Sequence, residues 1–487
     1  MKSSAFFAVR LLAAAVWAAC SLQAQPPFRT LHLAVFDKSG QPVTDLAPGD
    51  LQVSDDGKPQ QVLFLHLNDN KPIQAAPPAA HEFSNQKRPR TGGVVILFDL
   101  LNGTFTDRNF VASTILRSLE HLEDPANVFL YILTNKGELY PVHPLSKERA
   151  AGEENWIAQA KGLIENAIQN VYGLRPIDEQ FEGNKEIMAY RALRELAGAM
   201  TSLSGRKSIV WTSQGFSMQI GMGGHCQDIN VDGVKAPCTG NFVDFTPPAR
   251  RLAEAVDAAG VSIYPVDESE SAAAVMAREM FTTLAGLTGG KLFTRGQTPA
   301  AVASALLAAR MNYTLGYEPP SKNWNGKFHK VKVTSSRKGV DIQAEDGYIA
   351  DPPADATGSL VQAAAKFGND MPDIALTATA TPGPSPNTLR LKVRIGPAGL
   401  LFVPKDGHFM TDLGYVVVGL TAQGPKQLLK PSEMNLNLAQ AEYDTAMHAG
   451  LGADDDAPTP PEVKQVRIIV VDRWTNRVGS LTVPLTQ

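Results

Sequence analysis

The chain has 487 residues, a formal net charge of −4 and 44% hydrophobic residues. A chain of this length is too long for a single hydrophobic core and predicts roughly three domains. The nearly neutral charge offers no electrostatic reason to bind nucleic acid or an anionic membrane surface, so neither is expected as a partner.

The N-terminus predicts export. A positively charged start precedes the apolar residues 11–19, and Ala24 offers a small-residue cleavage point, so residues 1–24 are typical of a secretory signal peptide. Cys20 leaves a second alternative open, because the preceding residues resemble a bacterial lipobox with Trp17 where leucine is usual. No other segment reaches the ~20 apolar residues of a membrane helix. We expect a protein of the periplasm, envelope or extracellular space that is either soluble or tethered by lipid.

Residues 28–68 predict a small β module. Apolar and polar residues alternate there, and an Asp-Gly pair at Asp56 is a strong signal for a hairpin turn. Residues 69–92 contain several prolines and alanines and a short basic cluster, so they are interpreted as a linker with a solvated charged face.

Residues 93–316 alternate apolar strands with amphipathic helical patterns, as βαβ units do. The strand candidates are 94–98, 128–134, 208–212 and 261–266. Residues 317–350 predict a β-hairpin extension, and residues 357–487 predict a C-terminal β domain. The predicted fold class is therefore α/β: a doubly wound, mostly parallel, Rossmann-like sheet flanked by N- and C-terminal β-sandwich-like modules.

Asp99 ends the apolar run 94–98 and is the first candidate for a functional residue. In open α/β sheets, ligands bind outside the carboxyl ends of the strands. A charge beside a buried strand needs a partner, and a metal ion often provides one. Asp99 equally suits a second role, in which it caps the next helix or accepts backbone N–H groups in the turn.

Several segments together resemble the von Willebrand factor A-related proteins common in Acidobacteria. The similar segments are 37–46, 55–60, 94–104, 205–216, 313–320 and 326–329. The resemblance covers roughly residues 30–350. It implies a von Willebrand factor A (VWA) domain flanked by β modules in an exported protein, with no established chemistry.

The resemblance also implies a place for a metal ion. Such domains bind a divalent cation through Asp-x-Ser-x-Ser and further Thr and Asp residues, and a partner's carboxylate completes the shell. Here Asp99 matches, but Leu101 and Gly103 stand at the two Ser positions. With a single carboxylate, Mg²⁺ or Ca²⁺ binding should be weak, because hard cations are held chiefly by carboxylates. The expected degenerate metal-ion-dependent adhesion site comprises Asp99, Asn102, Thr104, Ser213 and Gln214.

Once the signal peptide is removed, Cys226 and Cys238 remain, and two cysteines in an oxidising compartment predict a disulfide. The loop between them matches the first half of a calcium-loop pattern, although Thr239 replaces the usual bidentate Glu. A polar surface loop explains the same residues without an ion. The candidate calcium ligands are Asp228, Asn230 and Asp232.

Enzyme patterns are incomplete. Ser204 and Lys207 have S-x-x-K spacing without the accompanying motifs, and Ser213 lacks the first Gly of a nucleophile elbow. No phosphate-binding glycine motif follows a strand. We therefore predict an exported, non-enzymatic protein-interaction or adhesion protein that binds another protein. The alternatives are an envelope structural scaffold with a metal-free domain and, more remotely, a hydrolase.

Overall fold

The computed structural model describes residues 28–69, 82–86, 92–103, 105–120, 122, 125–145, 156–170, 179–201, 203, 205–221, 226–269, 274–319, 325–350, 356–366, 370–397 and 399–485. The predicted signal peptide, Cys20, Thr104 and Ser204 lie outside these residues. The chain divides into two compact units, one formed by residues 31–71 and 91–350 and the other by residues 1–30, 72–90 and 351–487. They are called the large unit and the small unit below.

The described strands follow one another along the chain with bounds β1 (Arg29–Asp37), β2 (Leu51–Asp55), β3 (Lys58–Gln60), β4 (Val62–Asp69), β5 (Glu82–Ser84), β6 (Val94–Asp99), β7 (Val128–Leu133), β8 (Leu139–His143), β9 (Lys207–Ser213), β10 (Gln219–Gly221), β11 (Ile229–Val231), β12 (Val234–Ala236), β13 (Cys238–Thr239), β14 (Phe242–Asp244), β15 (Val261–Asp267), β16 (Phe293–Thr294), β17 (Met311–Tyr317), β18 (Phe328–Ser335), β19 (Val340–Gln343), β20 (Gly347–Ile349), β21 (Leu376–Pro382), β22 (Thr388–Ile395), β23 (Val403–Lys405), β24 (His408–Thr421), β25 (Gly424–Gln427), β26 (Ser432–Ala439), β27 (Leu451–Pro458), β28 (Gln465–Asp472) and β29 (Arg477–Pro484).

The described α-helices are α1 (Phe105–Glu120), α2 (Trp156–Asn170), α3 (Glu179–Met200), α4 (Thr246–Ala258), α5 (Ala274–Leu287), α6 (Thr298–Arg310), α7 (Ala356–Lys366) and α8 (Gln440–Ala449). Short 3-10 turns lie at Pro48–Asp50 and Pro125–Asn127.

The predicted α/β fold class is wrong. Among the described residues, strands clearly outnumber helices, and these strands form many small sheets in which antiparallel pairs outnumber parallel ones. The physical reason is the frequency of tight turns between alternating runs, which join neighbouring strands as antiparallel hairpins. The prediction gave too much weight to the helix-rich middle of the chain. It also missed the small antiparallel sheets of β10–β14, which occupy a stretch that was interpreted as a loop.

A mixed six-stranded sheet with the order β16-β15-β9-β6-β7-β8 lies in the large unit. Its first five strands pair in parallel, and β8 pairs antiparallel to β7. Every residue of β6 is buried, because helices cover both faces: α3, α4 and α5 contribute to one apolar cluster, and α1, α2 and α6 contribute to the other. Strands β6 and β9 are neighbours, but the chain continues from β6 to β7 on one side and from β9 to β15 on the other. The loops that follow β6 and β9 therefore run in opposite directions along the edge of the sheet.

Apart from the small sheets of β10–β14, the remaining strands of the large unit form a β module. One sheet has the order β19-β1-β17-β4 and another has the order β20-β18-β2-β3. Their apolar side chains meet in a single core that includes Leu33, Leu315 and Tyr317. Strands from the beginning and the end of the unit therefore stabilise each other through this shared core.

The small unit contains a sheet with the order β27-β22-β21-β5 and a six-stranded sheet built around β24 and β28. Their facing side chains form an apolar core, and α7 covers a second cluster on β24 and β28. Strand β5 lies in the segment predicted to be a linker and pairs antiparallel with β21.

Candidate site at the carboxyl edge of the mixed sheet

Asp99 is the last residue of β6, and only 2% of its surface is exposed. It lies at the carboxyl edge because the apolar residues before it occupy the centre of a sheet that is covered on both faces. A buried carboxylate needs donors around it, since an unpaired charge in the interior is very costly.

The surrounding chain supplies those donors. Oδ1 of Asp99 accepts the backbone N–H groups of Leu101 at 2.9 Å and Asn102 at 3.0 Å. Oδ2 accepts Asn102 Nδ2 at 2.8 Å, Trp211 Nε1 at 3.1 Å and Ser213 Oγ at 2.7 Å. A carboxylate offers about four lone-pair sites, so five donors saturate this one. The geometry matches the alternative in which Asp99 accepts backbone N–H groups in the turn, and its metal-binding role stays a prediction.

The other predicted metal ligands at this edge also contact protein groups. Ser213 donates to Asp99 and its Oγ accepts the Gly215 N–H group at 2.9 Å. Gln214 Nε2 donates to Asp107 Oδ2 at 2.5 Å. The structure thus brings Asp99, Asn102 and Ser213 together and directs Gln214 towards α1, while Thr104 lies outside the described residues.

Sequence reasoning missed the acidic pair Asp267 and Glu268 at the end of β15. The carboxylate of Asp267 accepts Arg278 Nε and Nη2, both at 3.2 Å. Glu268 is fully buried, and its carboxylate accepts the Gly296 N–H group and the Thr298 hydroxyl, each at 3.3 Å. The available signal was the one that identified Asp99, namely a carboxylate directly after a fully apolar strand.

Burial raises the pKa of the Glu268 carboxyl above its usual range. Such a group contributes stability below its unfolded pKa, and this contribution is lost as the pH rises through the folded pKa. We expect the stability of Glu268→Gln relative to the original protein to increase as the pH rises above about 4.3, the usual pKa of a glutamate. Urea denaturation at several pH values measures this difference, and a difference independent of pH would contradict the expectation.

Arg295 connects the buried part of this edge to the surface. Its Nη2 donates to Asp107 Oδ1 at 3.1 Å, and its Nη1 donates to the Glu268 carbonyl at 2.6 Å. The guanidinium carbon lies 4.1 Å from the ring centroid of Phe110, a cation–π geometry. Phe110 is 38% exposed, which is unusual for an aromatic side chain on a helix that packs against a sheet.

The insertion between β9 and α4 contains the predicted disulfide. Cys226 and Cys238 are joined, which confirms the pairing. Between them β11 and β12 form a hairpin whose two turn residues, Asp232 and Gly233, have positive φ angles of 49° and 90°. This conformation is typical of an Asp-Gly turn between paired strands.

The predicted calcium ligands lie on this hairpin. Asp228 Oδ2 lies 2.5 Å from Lys235 Nζ, and its Oδ1 accepts the Cys238 N–H group at 2.8 Å. Asn230 Oδ1 accepts the Gly233 N–H group at 2.7 Å. The carboxylate of Asp232 pairs with two arginines on α3, Arg191 at 3.1 Å and Arg194 at 2.7 Å. The nearby cations and N–H groups lower the pKa of both aspartates. Calcium binding stays a prediction for oxygens that already have protein partners.

Removing the disulfide should loosen this hairpin. On the chain-entropy model, a loop of this size contributes about 3 kcal/mol. We expect Cys226→Ser with Cys238→Ser to speed hydrogen exchange in β11, β12 and β13 by about 100-fold while leaving β6 and β9 unchanged. Mass-resolved hydrogen exchange measures both regions. Unchanged rates in the hairpin would show that the arginine pairs of Asp232 hold it without the disulfide.

Of the hydrolase candidates, Ser213 is described, and its hydroxyl donates directly to a carboxylate. Lys207 Nζ donates to the Leu203 carbonyl at 3.4 Å.

Within the described ranges, no helix is both long and apolar enough to span a bilayer.

No protein-family model matches the sequence, and no curated protein matches it. Solved structures that match parts of the fold include a mutant of the PilB minor pilin from Streptococcus sanguinis, with 12% identity and a TM-score of 0.29 over 49% of this chain and 63% of that chain. The SpaC pilus adhesin from Lactobacillus rhamnosus GG, in its open conformation, matches with 9% identity and a TM-score of 0.29 over 94% of this chain and 58% of that one.

Proximal thread matrix protein 1 from the mussel byssus matches with 11% identity and a TM-score of 0.26, over 47% of this chain and 49% of that chain. The matched regions thus span less than two thirds of each of these three proteins. Similarity at this level carries no argument about function.

Proposed function

We propose that this chain is an exported, non-catalytic protein of the adhesion type that binds another protein at the carboxyl edge of the mixed sheet. The observation that carries the proposal is the pair formed by Phe110 and Arg295. A half-exposed aromatic ring lies beneath a guanidinium group that is held by two further hydrogen bonds to Asp107 and Glu268.

Export is supported by the disulfide between Cys226 and Cys238, because such bonds persist in oxidising compartments. The predicted signal peptide agrees with this location. The resemblance to VWA-related proteins also implies export.

The polar groups at the edge support binding rather than catalysis. A serine nucleophile needs a neighbouring base that can take its proton and is itself oriented by a third group. The hydroxyl of Ser213 instead donates to Asp99, whose oxygens are saturated by other donors. These hydrogen bonds stiffen the edge and leave this serine without the arrangement that activates it.

The exposed part of the edge has the chemistry of an interface. Aromatic residues and arginine are enriched at protein interfaces, and they dominate the residues whose truncation costs most binding energy. The guanidinium of Arg295 is already ordered by Asp107, so binding would cost little additional side-chain entropy. The edge is therefore a preorganised surface that suits a partner with its own apolar and acidic groups.

The test uses the full mature chain immobilised on beads. A protein captured from the envelope fraction of the source cells is purified, and its Kd is measured for the original chain and for variants. We expect Phe110→Ser and Arg295→Gln each to weaken binding about tenfold or more, since truncation of a central interface residue costs over 1 kcal/mol. Tyr140→Ser is the matched control, because Tyr140 is an aromatic residue on β8, the strand at the border of the same sheet, and is somewhat more exposed than Phe110, at 46% against 38%.

Equal Kd values for all three variants would overturn the proposed surface. Binding that requires only residues 351–487 would support the envelope-scaffold alternative instead. Circular dichroism and urea denaturation of each variant establish that the fold is retained. Changes at the exposed positions Phe110 and Tyr140 are expected to alter stability little, whereas Arg295→Gln also removes bonds to Asp107 and Glu268.

A further inference from the structure

A cluster of potential metal ligands lies in the β module of the large unit, apart from the carboxyl edge described above. Asp55 and Asp56 are at the turn between β2 and β3, and His329 is on β18. Strands β2 and β18 pair antiparallel, with Val331 opposite Asp55. This register places the turn of one hairpin beside the start of a strand that is far away in sequence.

Backbone contacts fix the position of Asp56. Its N–H group donates to the Lys330 carbonyl at 2.8 Å, and its Oδ1 accepts the Lys330 N–H group at 2.9 Å. These bonds orient Oδ2 of Asp56 towards the imidazole of His329, where it lies 3.0 Å from Nδ1. Oδ1 of Asp55 lies 3.7 Å from the same Nδ1, and the three ligand atoms all lie within 4.8 Å of one another.

Asp55 supplies an independent indication of a missing ligand. Its side chain is completely buried, and its Oδ2 accepts the hydroxyls of Tyr317 and Tyr348, both at 3.0 Å. Its Oδ1 has no hydrogen-bond partner among the described residues, and Nδ1 of His329 lies 3.7 Å away, beyond hydrogen-bond distance. A buried carboxylate oxygen without a donor is costly, and a cation placed between these atoms would satisfy both.

We propose that Asp55, Asp56 and His329 bind a divalent transition-metal ion of the zinc type, with water completing its coordination. At the usual bond lengths of about 2.0–2.2 Å, neighbouring ligand atoms of a tetrahedral zinc ion are about 3.4 Å apart. The two distances to Nδ1 of His329, 3.0 and 3.7 Å, bracket that separation. Two carboxylates and one imidazole favour Zn²⁺ or Mn²⁺ over Ca²⁺, which prefers oxygen ligands alone.

Neighbouring side chains hold the ligands in place. The two tyrosine hydroxyls fix the Asp55 carboxylate, and the ring of Tyr348 stacks on His329 with centroids 5.2 Å apart and planes 14° apart. Such surrounding contacts orient metal ligands and are expected around a metal-binding site. The ion would join the β2–β3 hairpin to β18, so its role is structural: binding free energy becomes folding free energy of the module.

A second His-carboxylate group provides the control. His32, Asp257 and Glu345 also lie close together in the large unit. The carboxylate of Glu345 already accepts the backbone N–H group of His32, at 2.9 Å to Oε2 and 3.2 Å to Oε1. It therefore lacks the unpartnered buried oxygen that distinguishes Asp55.

The test uses the full mature chain without a histidine tag, stripped with EDTA. Isothermal titration with ZnCl₂, and separately with MnCl₂, measures stoichiometry and Kd. Hydrogen exchange of β2, β3 and β18 is then measured with and without the ion. We expect one ion per chain and, at a free ion concentration 100 times Kd, about 100-fold slower exchange in these strands.

The variants His329→Gln and Asp56→Asn should each weaken this binding at least tenfold, whereas His32→Gln should leave it unchanged. Asp56 is half-exposed in a turn, so its variant keeps the fold even where a change at Asp55 would not. The proposal is overturned when the stripped protein takes up neither ion, when His329→Gln binds as well as the original chain, or when His32→Gln alone abolishes binding.

Discussion

Replacing Asp99 with alanine is expected to lower the free energy of unfolding of the large unit by about 3–5 kcal/mol. The change removes the acceptor of five hydrogen bonds in a place where 2% of the residue is exposed. Trp211 is completely buried, so its Nε1 group would lose its partner without gaining water. Burial lowers the pKa of the Arg108 guanidinium, and the variant would remove the Asp99 charge that partly opposes this effect.

Urea denaturation and hydrogen exchange of β6 and β9 measure this loss. Asp45→Ala is a suitable control, because Asp45 pairs with Arg337 at an exposed surface position, where solvent screening leaves an ion pair little effect on stability. A loss below 1 kcal/mol for Asp99→Ala would contradict the structural role described above. Stabilisation of the original chain by Mg²⁺ that disappears in Asp99→Ala would instead support the metal-site prediction.

The Asp99 site shows what local sequence can and cannot predict. An apolar run that ends in a carboxylate indicates a polar group at the end of a buried strand, and the backbone donors of the following turn are neighbours in the chain. Trp211 and Ser213, however, are 112 and 114 residues away from Asp99. Their approach depends on the pairing of β6 with β9, which periodicity alone does not specify.

The calcium-loop prediction depended on a pattern that two structures share. Acidic residues at alternate positions before a glycine occur in calcium loops, and they also occur in a strand that leads into an Asp-Gly turn. The hairpin is distinguished here by the pairing of Asp232 with Arg191 and Arg194. Those arginines lie on α3, about 40 residues earlier, so no local window contains this contact, and calcium binding itself stays a prediction.

The error in fold class has a similar origin. Periodicity identified the buried parallel strands in residues 93–316. The fold class, however, also depends on how many antiparallel strands the rest of the chain contributes. Strand β24 pairs antiparallel with β23, β25, β26 and β28, which makes it the centre of a large antiparallel sheet in the small unit. Its long apolar sequence alone would suit a strand of either orientation.

A change at Gly290 is expected to be as damaging as one at Asp99 for a different reason. A Cβ atom at this position would lie 1.9 Å from the Ile263 carbonyl oxygen and 2.7 Å from its carbonyl carbon. Backbone atoms cannot escape by changing rotamer, so either β15 or the α5–β16 connection must move. We expect Gly290→Ala to lower the free energy of unfolding by about 3 kcal/mol, at the upper end of the usual cost of overpacking. Urea denaturation measures the loss.

The matched control is Gly162→Ala, the same chemical change on α2, where a new Cβ would meet no atom within 4 Å. Alanine loses less conformational entropy on folding than glycine, so this variant should gain about 0.5–1 kcal/mol. If the free energy of unfolding falls for Gly290→Ala and rises for Gly162→Ala, the close approach of the α5–β16 connection to β15 is what requires glycine at position 290. A hydrogen bond near Gly290 also holds the connection close to β15: the Ile263 N–H group donates to Thr288 Oγ1 at 2.9 Å, and Thr288 lies two residues before Gly290. Equal, small effects for both variants would mean that the connection shifts freely and that β15 tolerates the movement.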